Sequence, residues 1–145
     1  MVGGGFVNAR IVLTVAGVPV AKGRPRFTSV GGFGRAFTPA KTRTYEERFA
    51  SIGRAGMIGR DVLLGPLSLV MHVRLPVPKS WSKAKRQSAL LGNTRPTGKP
   101  DCDNFLKVVD ALNGIVWADD GQIVQATCIK YYAEEPSLTV EVQAI

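Results

Sequence analysis

The chain has 145 residues, 45% of them hydrophobic and 21% charged, with 19 Lys/Arg against 11 Asp/Glu for a formal net charge of +8. That size and balance specify one globular domain, residues 1–145, and exclude a disordered chain, a collagen, a coiled coil and a disulfide scaffold. The longest apolar stretch, residues 11–21, falls far short of the ~20 residues a membrane span needs and contains Pro19, so no membrane partner is expected.

Residues 1–8, with three consecutive glycines, read as a flexible tail. The β-branched run Ile11-Val12-Leu13-Thr14-Val15 reads as a first strand over 10–15, and not as a secretory leader, because one basic residue alone precedes it. A Gly/Pro-rich loop over 17–39 follows, long enough to suggest a functional role, and it carries Lys22, Arg24, Arg26 and Arg35. Thr38-Pro39 marks the entry to a helix running to about 57 and interrupted or ended near Gly53 to Gly59. Residues 67–75 alternate as a strand with His72 and Arg74 on one face. Residues 80–91 form a basic helix capped by Ser80 and stopped at Gly92-Asn93. Asp103 caps a further helix to Asn113, 116–118 is a short strand, Asp119-Asp120-Gly121 is a turn, and 122–132 and 138–142 pair as a terminal hairpin. The expected fold class is α/β (α+β), a mixed sheet packed with helices.

The two cysteines, Cys102 and Cys128, are too far apart for a CxxC pattern, which fits a reducing, cytoplasmic setting. Divided at Pro100, the charge separates into +14 before that residue and −6 after it. Lys and Arg grip a polyanion through its phosphates, while clustered carboxylates bind a divalent cation that acts on it. The cation-bearing candidates for phosphate contact are Lys22, Arg24, Arg26, Lys41, Lys83, Lys85 and Arg86.

The acidic segment is the informative one. In a helix begun near Asp101, the residues Asp103, Lys107 and Asp110 share one face, and Phe105, Leu106, Val108, Val109 and Leu112 supply the packing faces. A cap would account for either carboxylate alone, and an i,i+4 bridge to Asp103 would account for Lys107. An EF-hand is excluded, since Leu106 stands where its invariant glycine belongs. Asp120, although Asp-Gly is itself a turn signal, can join Asp101 and Asp103 on one or two Mg²⁺ ions, with Lys107 as a fixed charge beside the phosphate.

The run Pro100-Asp101-Cys102-Asp103-Asn104-Phe105-Leu106-Lys107, continuing through Asp110-Ala111-Leu112, resembles the core of the RusA-type Holliday junction resolvases. Trp117 to Val124 is similar to that family's D-D-x-Q-I/V element, and Gly17 to Phe27 with Thr38 to Thr42 is similar to an N-terminal block of one branch. The resemblance implies a RusA-like homodimer in which Asp101, Asp103 and Asp120 are metal ligands and catalytic residues and Lys107 is the basic catalytic partner. Asp110 and Asp119 take supporting roles, and Phe105 stands where the family has Leu. The implied activity is structure-selective, Mg²⁺-dependent cutting of four-way DNA junctions by paired symmetric nicks, in recombination and repair. Mn²⁺ is a substitute cofactor and the setting a bacterial or phage-encoded, nucleoid-associated one. A non-catalytic DNA-binding module and a metal-dependent nuclease acting on flaps or duplex are the alternatives. His72 reads as a sheet-face histidine, Trp81 and Trp117 as packing residues, and Phe27, Phe33 and Phe37 as contacts to an opened junction.

Overall fold

In a computed structural model, residues 9–23 and 39–145 are described together with the backbone of 26–28 and 35–37. Arg24, Phe33, the side chains of Arg26, Phe27 and Phe37, and the expected tail therefore lie outside the described residues. The elements are β1 (Arg10–Ala16), β2 (Arg26–Thr28), β3 (Arg35–Phe37), α1 (Ala40–Gly56), β4 (Leu67–Pro76), α2 (Lys83–Leu90), α3 (Cys102–Leu106), two 3₁₀ segments (Lys107–Leu112 and Asp120–Gln122), β5 (Ile123–Ala133) and β6 (Ser137–Ala144).

The strands follow from alternation. In β1, Ile11, Leu13 and Val15 are buried while their neighbours are exposed, and in β4 the buried set is Leu67, Leu69, Met71 and Val73. These residues, with Leu138, Val140 and Val142 of β6, form one face of a mixed sheet in the order β1-β6-β4-β5. Phe49 of α1, Phe105, Val108, Leu112 and Trp117 complete the core on that face. Burying each large apolar side chain contributes about 1.5–3 kcal/mol.

Two sequence expectations about connectivity are corrected. The last two strands are not a hairpin: β6 lies between β1 and β4, antiparallel to both, and β5 runs parallel to β4 at the sheet edge. The 17–39 region is not an uninterrupted loop, because β2 and β3 pair as a two-stranded ladder with Arg26 opposite Phe37.

Helix α1 runs unbroken through Gly53 and ends at Gly56 with Met57 as its C-cap, within the expected 53–59 window. Gly53 and Gly56 are packing positions: an added Cβ would lie 2.8 Å from Leu112 Cδ2 at the first and 2.7 Å from Leu13 Cδ2 at the second. Their small size lets α1 approach β1 and the 3₁₀ segment that carries Asp110. Helix α2 is capped by Ser82, whose hydroxyl accepts from the Lys85 N–H at 3.2 Å, and not by Ser80. The expected 103–113 helix is a short α-turn followed by a tighter 3₁₀ segment, and its N-cap is Asp101, not Asp103. The 116–118 strand reduces to isolated bridges of Trp117 with Leu63 and Asn113.

Candidate active site

Asp101 and Asp103 stand at the start of α3, yet neither carboxylate caps it: Asp101 occupies the N-cap position and makes no side-chain capping bond. Both are exposed and line one cleft of about 390 Å³ with Lys99, Asn104 and Lys107. Lys107 Nζ donates to Asn104 Oδ1 at 3.2 Å and makes no i,i+4 bridge to Asp103, the chain tightening into 3₁₀ geometry at this residue. The ammonium is thus held beside the carboxylates without being neutralised by them.

The position of this cleft is set by residues remote in sequence. Lys130 of β5 donates from Nζ to Gly98 O at 2.7 Å and to Pro100 O at 2.9 Å, pinning the segment that ends at Asp101. The Lys22 N–H donates to Asn104 O at 2.9 Å, tying the N-terminal region to α3. Cys102, between the two aspartates, is half-buried, and its Sγ donates to Cys128 O at 3.6 Å. Burial, together with the adjacent Cys102 thiol, pushes the Cys128 thiol up to about 12, so it stays protonated.

A second acidic pair lies at the other end of the 3₁₀ segment. Asp120 shares a hydrogen bond with Asp110, which holds the Asp120 carboxyl above the usual carboxylate range, with burial and the Asp110 charge adding to the effect. Asp119, its neighbour, is used structurally: its carboxylate accepts from the Gly121 N–H at 3.0 Å. The Gln122 side chain completes a capping box by accepting from the Ala118 and Asp119 N–H groups, and it also donates to Leu63 O and Gly65 O. Asp120 is left free of capping duty.

Lys22, expected as a phosphate contact, has other partners. Its Nζ lies 3.1 Å from Glu46 Oε2 and 3.6 Å from Asp110 Oδ2, and about a quarter of the side chain is exposed. Lys41, Lys83 and Lys85 are exposed and Arg86 half-buried, with Lys85 Nζ 4.0 Å above the Trp81 ring. Trp81 packs edge-on against Tyr132 and Trp117 is fully buried, in keeping with packing roles. His72 lies on the sheet face, Nε2 toward Glu141 at 3.3 Å and Nδ1 toward the Tyr131 hydroxyl at 3.4 Å.

Among the described residues, no three of His, Cys, Asp and Glu stand close enough together to hold a metal ion. The structure groups Asp101 with Asp103 and Asp120 with Asp110, and does not bring Asp101, Asp103 and Asp120 into one ligand set. The donor chemistry nonetheless fits a hard divalent cation: uncapped carboxylate oxygens in a polar cleft, and a carboxyl pair whose mutual repulsion a cation would relieve. Lys99, Lys130, Asn104 and Glu46 are the site residues that sequence reasoning missed. Asn104 was within the recognised motif, but no local pattern marks Lys130 or Glu46.

Residues 16–143 match the model of the family described as endodeoxyribonuclease RusA. The chain belongs to the RusA family. Every acidic and basic residue of both clusters falls inside the matched region. The chain is also 38% identical over 138 residues to the uncharacterized protein YqaN of Bacillus subtilis (strain 168), covering 93% of this chain and 96% of that one. Among the described residues, no helix of this RusA-family chain is long and apolar enough to cross a membrane.

Proposed function

We propose that this protein is a divalent-metal-dependent endodeoxyribonuclease that resolves four-way DNA junctions by paired symmetric nicks, acting as a homodimer. The observation that carries the reading is the pair Asp101 and Asp103, uncapped and facing one cleft with two lysines, in a RusA-family chain. Asp101 and Asp103 would hold the cation, Mg²⁺ by preference for oxygen donors, and Asp120 would approach it from the Asp110 pair. A bound cation in such a site supplies a Lewis acid for the phosphodiester and a water of lowered pKa as nucleophile. Lys107, steered by Asn104, places a positive charge where the scissile phosphate gains negative charge. Lys22 lies within salt-bridge distance of Glu46 and Asp110, so it offsets part of the negative charge of the second acidic pair. Lys41, Lys83, Lys85 and Arg86 would contact phosphates without reading sequence, and a two-fold dimer suits the two cuts a junction requires.

The test is incubation with a synthetic four-way junction and Mg²⁺, with flap and linear duplex in parallel. Paired nicks in the junction, lost in Asp103→Asn while junction binding in EDTA is kept, support the reading. Nicking by Asp103→Asn at the wild-type rate overturns the mechanism, and equal cutting of flap or duplex overturns the substrate.

A further inference from the structure

A second cleft, of about 260 Å³, shares no lining residue with the acidic one: it is formed by His72, Ile129, Tyr131 and Tyr132 of the sheet and by Leu90, Leu91, Gly92 and Arg95 at the end of α2. Its apolar side is Leu91, 69% exposed, with Leu90 and Ile129. Its polar side carries the Arg95 guanidinium, 5.7 Å from the centre of the Tyr131 ring, and Arg74, which does not line the cleft, holds its guanidinium 5.4 Å from the same ring centre.

Arg95 is fixed before any ligand arrives. Its Nε donates to Gly92 O at 3.2 Å and its Nη1 to Lys130 O at 3.3 Å, so an exposed, flexible side chain is already held in one orientation. Arg74 is likewise held by Ser137 and Thr139 hydroxyls. Among the described residues, neither guanidinium has a carboxylate within salt-bridge distance. An oriented guanidinium without a counter-charge, set beside exposed apolar and aromatic surface, matches a ligand with an anionic group joined to a flat apolar one.

We propose that this cleft binds one unpaired nucleotide of a DNA strand, with its phosphate on Arg95 and its base against Leu91, Ile129 and the tyrosines. The cleft volume, about 260 Å³, lies just below the usual range of small-ligand sites, about 300–1,000 Å³, and gives room for no more than about one nucleotide. Both clefts are anchored on one residue: the Lys130 carbonyl holds Arg95, and its ammonium holds the Pro100 carbonyl ahead of Asp101. The choice of DNA rests on the nuclease reading above; the geometry of the cleft does not.

The experiment is an NMR titration of the full chain in EDTA with the 5′-phosphorylated thymidine dinucleotide, with inorganic phosphate and a hexaglutamate peptide as competitors. Saturable shifts at the amides of residues 91–95 and 129–132 are expected, with binding weakened at least tenfold in Arg95→Ala and in the surface variant Leu91→Glu. Asp103→Asn is expected to bind as wild type, which separates this site from the nuclease centre. Shifts confined to residues 99–107, unchanged binding by Leu91→Glu, or displacement as effective by phosphate or hexaglutamate as by the dinucleotide itself would each overturn the proposal.

Discussion

Replacing Lys130 by Met tests whether the acidic cleft is held in place from outside its own motif. The methionine keeps an unbranched apolar stem on β5 but removes the ammonium that bonds Gly98 O and Pro100 O at 2.7 and 2.9 Å. Hydrogen bonds to a charged group contribute about 1.5–3 kcal/mol each when well buried, and one of these two is exposed, so a combined loss of about 1–2 kcal/mol is expected. For a chain of this size that corresponds to a fall in Tm of roughly 3–6 °C. The catalytic loss should be larger in proportion, because a displacement of Asp101 by about 1 Å costs on the order of 10²-fold in rate. Single-turnover cleavage of a junction, beside thermal unfolding of the same samples, gives both quantities. A variant that loses the stability but cleaves at the wild-type rate would refute the positioning role, as would an equal rate loss in Lys79→Met, which alters an exposed lysine ahead of α2.

Gly53→Ala should destabilise by about 0–2 kcal/mol, because the clash with buried Leu112, about 1–3 kcal/mol, outweighs the gain of about 1 kcal/mol in helix propensity; a raised urea midpoint would contradict this. Asp119→Ala removes the acceptor of the capping box, at a cost of about 0.5–2 kcal/mol, and should slow junction cleavage at least tenfold by releasing Asp120, with Asp119→Asn restoring most of the rate. Glu141 is held below the usual carboxylate range by its hydrogen bond with His72 and then by Arg10. Its contribution is therefore present above the ordinary value of 4.5 and lost as the pH falls through the depressed one, so the Tm gap between wild type and Glu141→Gln should close on acidification; a constant gap would rule this out.

The strands were legible because alternation is a local signal: Ile11, Leu13 and Val15 declare their face without reference to any partner. Strand order was not, since nothing in residues 122–142 encodes that β6 would insert between β1 and β4 and so be separated from β5 by β4. Ser80 and Ser82 are equivalent caps by residue type, and the choice between them depends on where the preceding chain turns. At the site, the motif's Asp101, Asp103 and Lys107 share one cleft while Asp120 does not join them, and helical periodicity does not fix their neighbours because the helix tightens at Lys107. The pairing of Asp120 with Asp110, and the diversion of Lys22 to Glu46, are tertiary facts that residue spacing does not carry.

The sheet order has a consequence for the timing of activity during synthesis. Strand β1 emerges early, but its hydrogen-bonding neighbour is β6, as its register from Arg10 opposite Gln143 to Ala16 opposite Ser137 shows. Every pairing of β1 in the main sheet must wait for a segment more than a hundred residues downstream, a high-contact-order closure that comes late and cooperatively. The acidic segment is translated before that closure, yet its tether through Lys22 belongs to the region just after β1. The acidic cleft is therefore expected to take its final form only once β6 has joined the sheet.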